Sequence, residues 1–126
     1  MNPVVYDMGV LIAADRSERR TWAEHRVRLE AGLIPVVPAP VVAQASRSAK
    51  QVQLRRLLRG CEVVSFDEAT AHAAGALLGR SRTKDVTDAA VAVLSIQRRA
   101  DVVSDDAKDI ERLLAAARVK ASIIAV

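Results

Sequence analysis

Short β-branched runs alternate along this chain with longer segments whose apolar residues recur at helical spacing. Five runs predict strands, at residues 4–6, 34–37, 63–64, 102–103 and 123–124. Because these runs are apolar on both faces, they fit a parallel sheet that is covered on both sides. The order β-α-α-β-α-α-β-α-α-β-α-β therefore predicts an α/β fold with a mainly parallel, roughly five-stranded sheet.

The segments between the strands predict seven helices, at residues 10–14, 21–31, 40–45, 50–58, 68–78, 85–99 and 106–117. Asp67 has the position of an N-cap and Phe66 that of a hydrophobic staple for the fifth helix. Residues 79–83 (Gly-Arg-Ser-Arg-Thr) are interpreted as a flexible, polar, basic loop. The chain has 126 residues, so we expect a single domain over residues 1–126.

Composition excludes several classes of protein. Aromatic residues make up 2% of the chain, which argues against RNA-binding folds that stack bases on aromatic side chains. The lone cysteine, Cys61, rules out a disulfide framework and a cysteine-rich zinc site. His25 and His72 lie far apart and lack ligand spacing. The sequence shows neither a membrane span nor a basic, apolar leader, so we expect a soluble, cytoplasmic protein.

Aspartates follow two of the predicted strands. Asp7 comes directly after the first strand, and Asp105 and Asp106 follow the fourth. Asp85 and Asp88 begin the long sixth helix and are three residues apart, so they share a helix face. Parallel sheets place ligand chemistry outside the carboxyl ends of their strands. We therefore expect these carboxylates to converge at one edge of the sheet.

Each pair of these acids also has an ordinary structural explanation. Asp85 and Asp88 are suited to cap a helix, and Asp105 and Asp106 are suited to a turn and an N-cap. Asp7 is harder to explain in this way, because it ends a buried apolar strand. Clustered carboxylates repel one another unless a divalent cation neutralises them, and all-oxygen ligands favour Mg²⁺ or Mn²⁺. The acids at two strand ends, taken together with those at the helix start, therefore predict metal-assisted hydrolysis of a phosphodiester.

The chain resembles PIN-domain ribonucleases, specifically the VapC-type toxins of type II toxin–antitoxin systems. The resemblance is carried by residues 4–13 (VVYDMGVLIA), 36–45 (VVPAPVVAQA), 85–92 (DVTDAAVA) and 102–106 (VVSDD), in that order. It implies a three-layer α/β/α sandwich with an acidic pocket that holds Mg²⁺ or Mn²⁺. It also implies a homodimer that cleaves RNA such as tRNA, rRNA or mRNA and is neutralised by a cognate antitoxin.

The resemblance assigns roles to individual residues. Asp7, Asp88 and Asp105 match the catalytic acids, and Asp85 and Asp106 are further candidate metal ligands. Two supporting residues are Ser104, which matches a hydroxyl that orients a carboxylate or water, and Gln44, which stands where many members carry glutamate. Glutamine keeps an acceptor oxygen but loses a charge, so this departure weakens the expected metal affinity.

Basic residues border the expected acidic site in sequence. Arg80, Arg82 and Lys84 precede Asp85, and a second group that includes Arg47 and Lys50 follows Gln44. Such residues fit a rim that holds RNA phosphates, although an ordinary solvated surface explains them too.

Two further interpretations remain open. The first is a PIN-like module that binds RNA or a partner protein but cleaves weakly because of Gln44. The second is a phospho-acceptor receiver domain, which also carries acids at strand ends. The receiver interpretation lacks the expected lysine and paired acid, and it does not explain Asp85 and Asp88 at a helix start.

Overall fold

The computed structural model describes residues 1–126 and contains one five-stranded sheet in which every pairing is parallel. The sheet order is β3-β2-β1-β4-β5. The strands are β1 (Val4–Tyr6), β2 (Val36–Pro38), β3 (Glu62–Val64), β4 (Asp101–Ser104) and β5 (Ile123–Ala125). The helices are α1 (Met8–Asp15), α2 (Arg19–Glu30), α3 (Ala39–Ala45), α4 (Val52–Arg59), α5 (Glu68–Ser81), α6 (Val86–Arg98) and α7 (Ala107–Ala116). The element order is the one that the sequence predicts.

The chain reverses its direction across the sheet between β1 and β4. It moves from β1 to β2 and β3 on one side, then returns to place β4 and β5 on the other side. The two central strands pair with Val5 opposite Val102 and Tyr6 opposite Val103. In parallel sheets, such a switch point opens a crevice at the carboxyl ends of the two strands. Asp7 and Asp105 directly follow these two strand ends.

Seven helices cover the sheet as a three-layer α/β/α sandwich. Helix α1 contacts α2, α3 and α4, while α5, α6 and α7 contact one another. Right-handed crossovers place the first group on one face and the second on the other. The central strands are buried on both faces, and residues 89–94 of α6 are buried as well. This core consists of valine, leucine, isoleucine and alanine around the single tyrosine, Tyr6.

The structure differs from the sequence predictions mainly at element boundaries. The second strand is Val36–Pro38 rather than 34–37, and Ile34 is 64% exposed ahead of it. The predicted flexible loop at residues 79–83 is wrong in its first half, because α5 continues to Ser81. Arg82 then ends this helix with a positive φ angle of 57°. Asp67 caps α5 as predicted, since its Oδ1 accepts a hydrogen bond from the Thr70 amide at 2.8 Å.

None of the helices combines the length and the apolar character that a bilayer crossing demands.

Candidate functional site

Asp7 lies at the carboxyl end of β1 and is 4% exposed. Its Oδ1 accepts a hydrogen bond from the Met8 amide at 2.7 Å, which caps the N-terminus of α1. Its Oδ2 accepts a second bond, at 2.7 Å, from the Ser104 hydroxyl at the end of β4. The Asp7 amide donates to the Val103 carbonyl at 3.0 Å. Both central strands therefore hold this carboxylate in one orientation.

Ser104 connects two of the acids through a single hydroxyl group. Its side chain is 2% exposed, and while it donates to Asp7 it accepts a hydrogen bond from the Asp106 amide at 2.9 Å. Because β1 and β4 are neighbours, this hydroxyl fixes the turn after β4 against the end of β1. The residue is placed where the sequence predicts an orienting hydroxyl.

Asp85 and Asp88 occupy the N-terminus of α6. Asp85 is exposed and is the N-cap, because its Oδ1 accepts a hydrogen bond from the Asp88 amide at 2.9 Å. Asp85 therefore has the helix-capping position that the sequence also allowed. Asp88, in the first turn of the helix, is 8% exposed.

The carboxylates of Asp88, Asp106 and Asp109 form a cluster in which one oxygen from each lies within 4.8 Å of the others. Asp106 and Asp109 are both exposed, and they flank the start of α7. Sequence reasoning missed Asp109. The sequence feature that could have indicated Asp109 is its three-residue spacing from Asp106. The same spacing places Asp85 and Asp88 on one helix face.

Asp105 has a different position. It is exposed, and its carboxyl group packs directly on Gly9 in the first turn of α1. A Cβ atom at Gly9 would lie 2.5–2.8 Å from the carboxyl atoms of Asp105, so only glycine leaves room for this contact. Of the two neighbouring acids after β4, Asp106 joins the carboxylate cluster and Asp105 lies against α1.

The acids raise one another's pKa values. Burial, followed by the negative charges of Asp85, Asp7 and Asp106, raises the pKa of Asp88 to about 7. Burial, followed by the charge of Asp109, also raises the pKa of Asp106. No lysine or arginine forms an ion pair with Asp7, Asp88, Asp106 or Asp109. Unneutralised carboxylate oxygens of this kind fit a hard divalent cation such as Mg²⁺ or Mn²⁺.

Gln44 lies half-buried in α3 and forms no hydrogen bond through its side chain. Helix α3 contacts both α1 and α6, the two helices whose N-termini carry Asp7 and Asp88. The side-chain amide of Gln44 therefore lies on a helix that borders the site, and it has no hydrogen-bond partner within the chain.

The predicted RNA-binding residues fall into two kinds. The Arg47 guanidinium donates to the carbonyls of Ala43 and Ser46 at 3.1 and 2.8 Å, so it caps the C-terminus of α3. The others are exposed, and their charged groups form no ion pair or hydrogen bond within the chain: Lys50, Arg80, Arg82 and Lys84. Three of these four lie in the segment that leads directly into α6.

A second surface feature is a groove of about 970 Å³ between α2 and α4, and none of the acids described above lines it. Apolar and basic side chains line it together, among them Trp22, Val27, Arg26 and Arg56. The Arg56 guanidinium lies 5.1 Å from the centre of the Trp22 ring, in the geometry of a cation–π contact.

Beneath this groove lies a buried polar network. Tyr6 and His25 share a hydrogen bond of 2.8 Å between the phenol oxygen and Nδ1, and Arg28 donates to the same phenol at 3.2 Å. Burial raises the pKa of Tyr6 to about 12. Burial, followed by the charge of Arg28, lowers the pKa of His25. Both groups therefore stay neutral at pH 7, which is typical of a structural network.

The PIN-domain model matches residues 4–115. The chain belongs to the PIN-domain family. No curated protein matches the sequence of this PIN domain.

Three solved structures are similar to this PIN domain in fold. A chain of VapBC2 from Rickettsia felis, bound to a DNA fragment from their promoter, has a TM-score of 0.70 and 14% identity, with 98% of both chains covered. A toxin–antitoxin complex from Klebsiella pneumoniae has a TM-score of 0.65 and 17% identity, covering 84% of this chain and 88% of that chain. FitAcB from Neisseria gonorrhoeae has a TM-score of 0.61 and 17% identity, covering 96% of each. At these low identities the likeness concerns the fold.

Proposed function

We propose that this PIN domain is the toxin of a toxin–antitoxin pair, and that it is a Mg²⁺- or Mn²⁺-dependent endoribonuclease. The single observation that carries the proposal is the group of buried and clustered carboxylates at the switch point between β1 and β4, which no basic side chain neutralises. Its substrate would be a cytoplasmic RNA, such as tRNA, rRNA or mRNA. The similar toxin–antitoxin complexes support the toxin role.

In this proposal, Asp7, Asp88, Asp106 and Asp109 hold the cation through their carboxylate oxygens. When bound, the cation would supply a Lewis acid that stabilises charge developing on the scissile phosphate. Ser104 orients Asp7 and the turn that carries Asp106, through its two hydrogen bonds.

The other predicted site residues, Asp85, Asp105 and Gln44, lie around these four acids. Asp85 caps α6, so it positions Asp88 and adds negative charge beside it. Asp105 stays a candidate ligand from sequence, and its contact with Gly9 is the reason to test it separately from Asp106. Gln44 offers an amide in place of a carboxylate, which leaves the site with less negative charge than a glutamate would give it.

The exposed basic residues would hold the RNA strand around the acids. Arg80, Arg82 and Lys84 lead into α6 and have no partner within the chain. Lys50 is also exposed and unpaired, whereas Arg47 already binds backbone carbonyls. Phosphate contacts of this kind position a substrate without reading its sequence.

We propose that the antitoxin occupies the groove between α2 and α4. Its arginines suit acidic side chains, and Trp22 and Val27 suit apolar ones, so the fitting segment is amphipathic and acidic. Trp22 is the only tryptophan of the chain, so its fluorescence reports directly on occupation of the groove. A homodimer is also part of this proposal.

A second candidate function is a binding module without efficient cleavage. The observation that favours it is Gln44, which lies half-buried beside the site where a glutamate would add a metal ligand. Changing Gln44→Glu separates the two functions, because a gain of cleavage would indicate that the native site is limited by its missing charge.

The deciding experiment is cleavage of purified total RNA with Mg²⁺ or Mn²⁺. We expect discrete cuts that disappear with EDTA and in Asp88→Asn. Asp101→Asn is the matched control, because Asp101 lies at the opposite end of β4, where it binds Asn2 and the Ser122 amide. Absence of cuts by the folded wild-type protein, or cuts that persist in Asp88→Asn, would overturn the nuclease assignment.

A further inference from the structure

His25 carries the one side-chain nitrogen or oxygen atom that is buried in this protein without a hydrogen-bond partner. The residue is 2% exposed, and the unpartnered atom is Nε2, whereas Nδ1 shares a hydrogen bond with the Tyr6 phenol. Such atoms are rare in folded proteins because an unmade hydrogen bond costs free energy. The buried network around Tyr6 therefore accounts for one ring nitrogen of His25 and leaves the other unexplained.

The hydrogen bonds around Tyr6 indicate which ring nitrogen of His25 carries the proton. Arginine can only donate, so the Tyr6 oxygen accepts from Arg28. The phenol hydrogen then has one acceptor within hydrogen-bond distance, His25 Nδ1 at 2.8 Å. The opposite tautomer would leave both the phenol hydrogen and a bare Nε2 without a partner. Because burial and the charge of Arg28 lower the pKa of His25, its ring is neutral and keeps its single proton on Nε2.

Gly60 lies beside this N–H group, and its missing side chain leaves a small gap there. A Cβ atom at Gly60 would lie 3.1 Å from His25 Nε2 and 3.3 Å from Leu29 Cδ1. The φ angle of Gly60 is −90°, which other residue types also adopt, so the backbone does not require glycine here. All three residues line the groove between α2 and α4. Leu29 is 38% exposed, so a movement of its side chain would open the buried donor to the groove.

The charges around the groove favour a carboxylate as the partner of this donor. Arg56 lines the groove and forms no ion pair, and no acidic side chain lines it. Arg28 lies behind the network and polarises it, because it donates to Tyr6, which in turn donates to His25. A chain of donors that begins at a guanidinium and ends at an unpartnered N–H suits a negatively charged acceptor.

We propose that the His25 Nε2–H group is a carboxylate-binding donor at the floor of the groove, where it anchors an aspartate or glutamate side chain of the antitoxin. The inference rests on the proposed toxin–antitoxin role, which supplies the occupant, and it adds a specificity-determining residue to that role. The carboxylate displaces the Leu29 side chain and reaches the donor beside Gly60. A partner with an apolar or basic residue at this point would leave the donor unpartnered, so His25 discriminates among partners.

The first measurement uses protein with ¹⁵N-labelled histidine rings and two probes that share one apolar chain, 4-methylpentanoate and 4-methylpentylammonium. Two-bond proton–nitrogen spectra distinguish a protonated ring nitrogen from a bare one, so we expect to find the proton of His25 on Nε2. Titration with the carboxylate should shift the Nε2 signal to saturation, and titration with the ammonium should not. His72 is the internal control, because its ring is exposed outside the groove and should respond to neither probe.

Two substitutions separate the donor from the rest of the network. Gly60→Ala fills the gap beside Nε2 and keeps the Tyr6 bond, so it should weaken carboxylate binding by about 10-fold or more. Gly79→Ala is its matched control, because a Cβ atom there meets nothing within 4 Å. His25→Asn keeps an acceptor for the phenol but removes the Nε2–H group, so it should cause the same loss. The fluorescence of Trp22, which lines the same groove, measures binding in this variant.

Several results would overturn the proposal: a His25 proton on Nδ1, equal shifts with both probes, no shift with the carboxylate, or carboxylate binding that Gly60→Ala leaves unchanged. If His25→Asn does not fold, Gly60→Ala decides alone, because alanine adopts the φ angle found at this position. None of these measurements involves RNA. A failed titration therefore leaves the nuclease assignment intact, and a failure to cleave RNA leaves the carboxylate site intact.

Discussion

Tyr6 and Asp7 are neighbours in sequence, yet each belongs to a different kind of buried polar cluster. The Tyr6 phenol bonds His25 and Arg28, so its hydroxyl has two partners inside the chain, and only His25 Nε2 in that cluster is buried without a partner. Asp7 faces the acids at the carboxyl edge of the sheet, where like charges meet without a basic partner. One residue step along β1 separates a cluster that stabilises the fold from one that costs stability.

This difference indicates where function lies. A protein keeps a buried polar group at low cost when hydrogen bonds complete it, as they do for Tyr6. Repelling carboxylates are kept when something outside the chain completes them, because repulsion and lost hydration both disfavour the charged forms. Substitutions in the two clusters should therefore have opposite consequences for stability and for metal binding.

The largest effect is expected from His25→Ala. The change leaves the Tyr6 hydroxyl without its His25 partner and opens a cavity, so we expect a loss of about 2–4 kcal/mol in the free energy of unfolding. Urea denaturation measures it. His72→Ala is the matched control, because His72 is exposed and only approaches Glu68 at 3.4 Å. The affinity for Mn²⁺ should be unchanged in both variants. A large loss of Mn²⁺ affinity in His25→Ala would show that the two clusters are coupled.

The next effect separates Asp109 from Asp105. Asp109 shares the carboxylate cluster, so Asp109→Asn should weaken Mn²⁺ binding by about 100-fold or more, since even outer residues of metal sites contribute 10- to 100-fold. Asp105→Asn should change it by less than about 3-fold, because the native side chain packs on Gly9. Calorimetric titration with Mn²⁺ measures both. The reverse ranking would favour the assignment made from sequence over the one made from geometry.

The two clusters should also respond to pH in opposite directions. The pKa of Asp88 is raised from 3.8 to about 7, so its contribution to stability is full below pH 4 and is lost as pH rises through 7. The pKa of His25 is lowered from 6.5, so its contribution is full above pH 6.5 and is lost as pH falls below that value.

Thermal denaturation of metal-free protein tests this pair of signs. Asp88→Asn should remove the decline in Tm between pH 4 and pH 7, and Mn²⁺ should restore the Tm of the wild-type protein near pH 8. His25→Phe should flatten the opposite change below pH 6.5. A wild-type Tm that rises from pH 4 to pH 7 and is insensitive to Asp88→Asn would contradict the repulsion inferred at the acidic edge.

Much of the fold followed from local patterns in the sequence. The valine-rich runs predict the strands because burial on both faces leaves no polar alternation, and Asp67 predicts a helix start because its side chain caps the first turn. Boundaries were less accurate at residues 79–83. There the glycine and the hydroxyls suggested a loop, but the buried Ser81 hydroxyl bonds the helix and extends it.

The site was predictable only in part. The closeness of Asp7 and Asp88 was expected because ligand chemistry in parallel sheets lies outside the carboxyl ends of the strands. The choice between Asp105 and Asp106 depended on which carboxyl group turns toward α1, and that is set by the contact with Gly9. The closeness of Asp109 to Asp88 and Asp106 depended on how α7 leaves the turn. Both are tertiary relations that no local pattern encodes.

The smallest expected effect concerns Ser104, whose hydroxyl connects Asp7 with the turn after β4. Ser104→Ala removes one bond to each side and should weaken Mn²⁺ binding by about 10-fold, the lower end of the range for residues that orient ligands. Ser104→Thr keeps the hydroxyl and should keep the affinity. If alanine and threonine weaken binding equally, the hydroxyl does not orient the acids, and Asp7 depends on its backbone contacts alone. If only alanine weakens binding, the Ser104 hydroxyl orients Asp7 and the turn that carries Asp106, and it does so through one bond to a carboxylate and one to a backbone amide.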